Sequence, residues 1–331
     1  MQKLGPVFRQ LRLARHLTLQ QVADDQCSLA FISKFERDER AIGFARLWHL
    51  LDRINVTPEE FFQALIPRTA LAWQQAPDIA PLASLTTPYG PFTLELVETI
   101  AHNTSASRSV TQAQLLAMKQ LGAGILTADG GTARWQQFLQ LARDIGVVIV
   151  KSNQKADPLL DDQLFDQLAQ MSQPVVAYLF TLDAWGIFEF TLLRLFATAI
   201  PPETLHRLIK LAVTRSQAVR QLPQGQALVM VVLQGAVSKF INNKQYGWAE
   251  EVLAARTTLT PEDGVRWALE TRFLTGWLHL AQGDATGDSM CQTVVSMLET
   301  LGLHQWSKLW QRRLEMIHHA VAEPDYWAIY I

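Results

Sequence analysis

Basic side chains recur at helical spacing near the start of the chain, where they could bind the phosphates or base edges of a nucleic acid. Arg9, Arg12 and Arg15 lie three residues apart, which places them along one side of a helix. Lys34 and Arg37 follow with the same spacing in the segment LAFISKFER. Both residue types bind phosphate, and arginine also binds guanine through two hydrogen bonds. The pattern therefore indicates double-stranded DNA as a candidate partner.

Two short helices joined by a polar break must position these side chains. Thr18 and Gln21 have the spacing of a capping box, which begins the first helix. Ser28 is a good N-cap for the second helix. Within that second helix Ile32 and Phe35 lie three residues apart, as buried side chains do on one helix face. This arrangement predicts a helix-turn-helix, whose second helix enters the major groove.

The flanking segments extend this motif to a compact domain. LGPVFRQLRLARHLT precedes it, and AIGFARLWHLLDRINVT follows as a helix with leucines on one side. Pro58 with Glu59 and Glu60 then provides a proline and acidic residues for the first turn of another helix. Five short helices are thus predicted within residues 1–66, the arrangement of a DNA-binding domain.

The second helix supplies the candidates for reading a DNA sequence. With Ile32 and Phe35 inward, the remaining side chains are expected outward or at the edges of the helix. Apolar side chains can contact only thymine methyl groups, so the protein either reads an A/T-rich site by methyl contacts and DNA shape or has weakened DNA binding. Arg12 is expected to pair with Glu36, with contact to DNA as the alternative. The candidate DNA-binding residues are Arg9, Arg15, Leu29, Ala30, Phe31, Ser33, Lys34 and Arg37.

Composition limits the other classes of function. Of the 331 residues 49% are hydrophobic and 18% charged, and the net charge is −2. Residues 1–66 hold nine Lys/Arg and eight Asp/Glu, so DNA binding there requires basic side chains clustered on one face. The two cysteines form no metal or disulfide framework. No signal segment, membrane span, catalytic triad or cofactor motif is recognised, and we expect a cytoplasmic protein that is not an enzyme, with no metal and no cofactor.

The sequence after residue 66 is predicted to form a series of consecutive helices. Residues 67–91 are expected to form a linker helix and loop, and residues 92–331 a domain of helix pairs with short turns. The fold class is therefore all-α, a five-helix helix-turn-helix domain followed by an α-solenoid of tetratricopeptide-like pairs. One segment, 147–150, is β-branched and remains open between a short extended piece and a helix end or loop. The expected helices span 92–103, 111–126, 132–144, 159–171, 174–182, 185–199, 202–220, 224–243, 246–257, 262–281, 284–301, 304–320 and 325–331.

The N-terminal sequence resembles the Rgg/GadR/MutR family of transcriptional regulators, most specifically in ISKFERDER and RLWHLLDRINVT. AWGIFEFTLLRLF and ETRFLTGWLHLAQGD extend a looser resemblance to the C-terminal region. Arg12 and Glu36 fall on the family's helix-one arginine and recognition-helix glutamate, and Lys34 falls where the family tends to have arginine. Leu29, Ala30 and Phe31 depart from a usually polar trio, and Asp38 replaces a usual glycine. These departures concern the residues that would read the operator sequence and leave the fold unaffected.

The resemblance implies a homodimer held by the repeat domain, whose concave face binds a short peptide. Two DNA-binding domains would then occupy adjacent major grooves of a pseudo-palindrome. The alternative is a helical-repeat module that binds a protein or peptide and has weakened DNA binding. The candidate ligand-binding residues, taken from the helices expected to line the concave face, are Glu189, Arg194, Gln234, Lys239, Asn242, Arg272 and Trp277.

Overall fold

A computed structural model describes residues 3–65, 96, 112–121, 134–152, 162–222 and 225–323. The chain divides into two compact units, Met1–Pro88 and Tyr89–Ile331. All regular secondary structure in the described residues is helical, so the all-α prediction is confirmed. The predicted linker over 67–91 and the helices predicted at 92–103 and 325–331 lie outside these residues, apart from residue 96.

Residues 3–65 of the N-terminal unit contain five helices, and two of their starts follow directly from capping residues in the sequence. Thr18 and Gln21 form the expected capping box, with the Thr18 N–H donating to Gln21 Oε1 at 2.8 Å. Ser28 Oγ accepts the Phe31 N–H at 3.3 Å and begins the next helix. These bonds satisfy backbone donors that a helix leaves unpaired at its N-terminus. The five helices are α1 (Leu4–Ala14), α2 (Leu19–Val22), α3 (Leu29–Glu36), α4 (Phe44–Arg53) and α5 (Pro58–Leu65).

One core holds these helices together. The side chains of Phe8, Ile32 and Leu50 are fully buried in it, so α1, α3 and α4 share a single apolar centre. Gly5 lets α1 approach α3 closely, because a Cβ atom there would lie 1.9 Å from the Phe35 carbonyl oxygen. Asp38 adopts φ 62° just after α3, a left-handed conformation that aspartate tolerates better than most residues.

The C-terminal unit contains eleven described helices. It differs from expectation at Pro174, which lies inside one continuous helix rather than between two. The β-branched segment 147–150 is helical, so the extended alternative is wrong. The helices are α6 (Gln112–Gln120), α7 (Arg134–Ser152), α8 (Asp162–Thr181), α9 (Ile187–Phe196), α10 (Pro202–Arg215), α11 (Gln217–Arg220), α12 (Gly225–Asn242), α13 (Tyr246–Leu259), α14 (Val265–Ala281), α15 (Thr286–Thr300) and α16 (His304–Ala322).

From α12 to α16 each helix packs against the next, as expected for a helical repeat, and α9 packs against α12. Helices α14 and α15 approach each other closely, since a Cβ atom on Gly287 would lie 2.2 Å from the Gly276 carbonyl oxygen. Only glycine permits this separation. Within the residues that can be described, no helix is both long and apolar enough to cross a bilayer.

Candidate nucleic-acid interface and ligand site

The outer face of α3 carries most of the side chains predicted to read DNA. Leu29 is 47% exposed, and Ala30 and Lys34 are also exposed. Ile32 and Phe35 point into the core on the opposite side. The exposed face therefore presents an apolar first turn followed by a cation, which can contact thymine methyl groups and a phosphate or guanine.

Arg37 is held by its own neighbours at the end of α3. Its Nε and Nη2 atoms donate to the Glu39 carboxylate at 2.7 and 2.8 Å, and Nη1 donates to Ser33 Oγ at 2.9 Å. These hydrogen bonds lower the pKa of Glu39 below its ordinary value. Since both side chains are about half exposed, water and salt screen the pair. In this conformation Arg37 is engaged by Glu39 and Ser33.

Phe31 does not point outward, which corrects its assignment as a residue that reads DNA. Only 8% of its surface is exposed, and it belongs to the core of the N-terminal unit. The guanidinium carbons of Arg40 and Arg46 each lie 5.3 Å from the centre of its ring. Sequence analysis missed both arginines, although each follows the recognition helix closely in the chain.

The three arginines of α1 differ in their surroundings. Arg12 is buried and donates to both carboxylate oxygens of Glu36 at 2.6 and 2.8 Å, and its Nη1 donates to the Leu17 carbonyl. The hydrogen bond to Glu36 raises the pKa of Arg12. Arg15 is half-buried and pairs with Glu60 at 3.4 Å, whereas Arg9 is exposed. A paired, buried Arg12 joins α1 to α3 and is not available to DNA.

In the C-terminal unit, the structure gives three of the proposed ligand residues internal roles. The Glu189 carboxylate accepts the Gly186 N–H and the Tyr178 hydroxyl, both at 2.7 Å, at the start of α9. Lys239 donates to the carbonyls of residues 197, 198 and 200 just beyond the end of α9. Trp277 is only 1% exposed and lies in the core. These contacts correct the assignment of Lys239 and Trp277, and they leave Glu189 as a helix cap.

Burial lowers the pKa of the Lys239 ammonium to about 7, against the opposing effect of the Glu203 carboxylate. All three donors of the charged amine are already directed at backbone carbonyls. A cation at the C-terminal end of a helix also favours the helix dipole. Lys239 therefore stabilises the turn after α9, and a ligand would have to displace those carbonyls to reach it.

Gln234 differs from the other proposed ligand residues in having a buried acceptor atom without a hydrogen-bond partner in the described residues. It is 5% exposed on α12, and its Oε1 atom has no hydrogen-bond partner among the described residues. A buried unsatisfied acceptor destabilises a protein by about 1–3 kcal/mol, and a peptide N–H would remove that cost. Arg194 and Asn242 are half-buried and Arg272 is exposed on α14.

A buried charged cluster in the C-terminal unit was not anticipated from the sequence. Arg256 is fully buried and donates to the Met230 carbonyl, to Thr271 Oγ1 at 3.2 Å and to Glu270 at 3.3 Å. Glu270 also accepts from Arg266 at 2.9 Å. Arginine at a core position of a helix, in LAARTTL, was the available signal. No group of His, Cys, Asp and Glu in the described residues could hold a metal.

The comparisons agree with this architecture. Residues 159–312 match the family model described as the C-terminal domain of the HTH-type transcriptional regulator Rgg. No protein with a curated description matches the sequence. A helix-turn-helix unit and an Rgg C-terminal domain together define the class as a transcriptional regulator, which is not an enzyme. Residues 159–312 therefore carry an Rgg-type C-terminal domain, and the resemblance predicted from the sequence is confirmed.

Solved structures share the fold over nearly the whole chain. The SHP pheromone receptor Rgg2 of Streptococcus dysgalactiae is 17% identical with a TM-score of 0.60, covering 95% of this chain and 99% of its own. A transcriptional regulator from Listeria monocytogenes EGD-e is 15% identical with a TM-score of 0.68, covering 95% and 97%. The PrgX/cCF10 complex is 13% identical with a TM-score of 0.63, covering 99% and 94%.

Proposed function

We propose that this protein is a sequence-specific DNA-binding transcriptional regulator controlled by a short signalling peptide. The observation that carries DNA binding is the exposed outer face of α3, where Leu29, Ala30 and Lys34 stand on a packed helix-turn-helix unit. Peptide control is supported by the likeness to a pheromone receptor and to a peptide pheromone/receptor complex. The protein would act as a homodimer, with domains on adjacent major grooves one helical turn apart.

Recovery of DNA cross-linked to the protein in cells tests this function. A few sharp peaks beside small open reading frames would support a specific regulator and supply candidate peptides. In a mobility shift on the strongest site, Lys34→Ala should weaken binding and Arg37→Ala should lower the salt slope by about one unit. Unchanged affinity in both variants would exclude the proposed orientation of α3.

Peptide binding should shift the protein between states with different DNA affinity, which requires the peptide to bind the two states unequally. Gln234→Ala should weaken peptide binding because it removes the buried hydrogen-bond acceptor. Arg194→Ala serves as a second test of the site. Intact peptide affinity in both variants would show that the ligand binds elsewhere, with DNA binding unaffected by that result.

A second candidate function is a protein- or peptide-binding module with weakened DNA binding. It is favoured by Phe44 and Trp48, which form an exposed aromatic pair on α4 with 65% and 52% of their surfaces accessible. Leu29 is a third large apolar side chain of this unit that is exposed, and exposed apolar surface can mark a protein-binding site. A flat cross-linking profile, with no salt-dependent mobility shift on the recovered DNA, would favour this candidate over the first.

A further inference from the structure

The basic residues of the N-terminal unit fall into two groups. Over residues 3–65, five of the lysines and arginines have a carboxylate partner and four do not. The paired residues are Lys3 with Asp38, Arg12 with Glu36, Arg15 with Glu60, Arg37 with Glu39 and Arg53 with Asp24. The unpaired residues in that range are Arg9, Lys34, Arg40 and Arg46. Unpaired cations are the ones that can neutralise phosphate without first losing an internal partner.

Arg40 and Arg46 differ from the other two because they share one aromatic ring. Arg40 lies between α3 and α4, and Arg46 lies in the first turn of α4, yet both guanidinium carbons are 5.3 Å from the centre of the Phe31 ring. Phe31 lies in the first turn of α3 and its backbone is fixed by the Ser28 cap. The ring of Phe31, a core residue of the recognition helix, therefore contacts two arginines from separate segments of the chain.

Internal hydrogen bonds and ion pairs do not account for this arrangement. Neither arginine donates a hydrogen bond within residues 3–65, and both remain exposed. Arg46 occupies a first helical turn, where the helix dipole disfavours a cation. Two like charges on one ring also repel each other. A nearby anion would relieve both costs, and a guanidinium stacked on a ring keeps the N–H donors at its edge available for one.

We propose that Arg40 and Arg46 bind the phosphate backbone of DNA as a pair, and that Phe31 is the positioning residue that holds them there. This inference rests on the proposed DNA-binding function and adds residues that sequence analysis did not assign. Holding an arginine in place before binding reduces the side-chain entropy lost when it meets a phosphate. Phe31 therefore contributes to DNA affinity without touching DNA.

Fluorescence anisotropy with full-length protein tests the phosphate contacts. The probes are a labelled duplex of about 30 base pairs carrying the strongest cross-linked site and one of scrambled sequence, titrated from about 50 to 200 mM KCl. Arg40→Gln and Arg46→Gln should each reduce the salt slope by about one unit on both probes, since phosphate contacts do not depend on sequence. Arg207→Gln is the matched control, because Arg207 makes a similar contact with Phe180, at 5.5 Å, in the other unit.

A double-mutant cycle tests the role of Phe31. Phe31→Leu keeps an apolar core residue but removes the ring, and should weaken DNA binding about threefold to tenfold in the wild-type background. In the Arg40→Gln/Arg46→Gln background the same change should have no further effect on affinity. A melting temperature measured for every variant separates this loss from unfolding, which both backgrounds would share.

The possible outcomes distinguish a failure of the phosphate-pair proposal from a failure of the proposed DNA-binding function. If the wild-type protein binds the site but both arginine variants keep its salt slope, the phosphate pair is wrong. If Phe31→Leu weakens binding equally in both backgrounds, Phe31 contributes only to folding and the positioning role is overturned. If the wild-type protein binds neither duplex, the proposed DNA-binding function fails, and the inference fails with it.

Discussion

Both units of the protein bury an arginine against a glutamate, but they satisfy the two charges differently. In the N-terminal unit Arg12 meets both oxygens of Glu36 and one carbonyl, so a single contact neutralises both side chains. In the C-terminal unit Glu270 is divided between Arg256 and Arg266. Burial lowers the pKa of Arg256, whereas the hydrogen bond to Glu36 raises that of Arg12.

This difference shows how far each unit relies on its buried charge. Arg12 joins two helices, α1 and α3, whereas Arg256 on α13 reaches α12 and α14 and so ties three helices together. A buried ion pair adds little net stability compared with apolar residues, yet removing one partner is costly because the other stays charged and buried. The loss of unfolding free energy on removing one partner should therefore be greater where the remaining charged side chain is more completely buried.

The largest effect is expected from Glu270→Ala, which leaves Arg256 fully buried without a carboxylate. The C-terminal unit should lose about 3–5 kcal/mol of unfolding free energy, measured by urea unfolding of the full chain followed by circular dichroism. Glu262→Ala, at an exposed position nearby in the sequence, should change it by less than about 0.5 kcal/mol. A loss below about 1 kcal/mol for Glu270→Ala would mean that the Thr271 hydroxyl and the Met230 carbonyl suffice for Arg256.

Arg12→Ala is the corresponding test in the N-terminal unit. About 3 kcal/mol should be lost, with a lower melting temperature, because Glu36 remains buried at 5% exposure. Arg9→Ala on the exposed side of the same helix is the control and should leave the melting temperature unchanged. An undiminished melting temperature in Arg12→Ala would contradict the structural role of the pair.

Close helix approaches in the two units permit a second comparison. Gly5→Ala and Gly287→Ala should each cost about 1–3 kcal/mol by forcing packed helices apart, since the added Cβ atoms would lie 1.9 and 2.2 Å from carbonyl oxygens. Gly247→Ala is the control, because no atom lies within 4 Å of its Cβ position. Unfolding free energies near the wild-type value in both variants would show that the helices can separate easily.

Lys239→Met should destabilise the C-terminal unit by about 1–2 kcal/mol, since three carbonyls lose their donor. The pH dependence has a definite sign. The pKa of Lys239 in the folded protein is about 7, which lies below its value in the unfolded chain. Between pH 7 and 9 the unfolded state therefore binds a proton that the folded state has released. The free energy of unfolding should rise with pH over this range by up to about 1.4 kcal/mol per pH unit. Lys239→Met should lack this rise. Equal slopes in both proteins would show that the carbonyls keep Lys239 charged.

The smallest expected effect concerns the surface pair in the N-terminal unit. Glu39→Gln should strengthen DNA binding about twofold to fivefold, because it frees Arg37 and removes a negative charge beside the proposed phosphate contacts. Glu59→Gln, an exposed acid on α5, is the control for net charge. Equal gains in the two variants would indicate a general charge effect without a specific release of Arg37.

The sequence alone determined the helical elements, because helix starts depend on neighbouring residues. Thr18, Gln21 and Ser28 cap their helices through contacts within three positions, and the buried Ile32 and Phe35 follow from the 3.6-residue period. The Arg12–Glu36 contact was expected because an arginine on the first helix faces a glutamate near the end of the recognition helix, and the family pattern agrees with that pairing. The same local rule failed at Pro174, where packing outweighed the proline's preference to end a helix.

Only the tertiary structure decided which polar and aromatic side chains remain available for ligands. Phe31 has the spacing of an edge residue, but the arrangement of α3 and α4 places its ring in the core beneath two arginines. Lys239 meets carbonyls about forty residues earlier in the chain, and Arg256 meets one on the neighbouring helix. The helical period determines which residues share a face of a helix. The packing of the helices determines which atoms that face contacts.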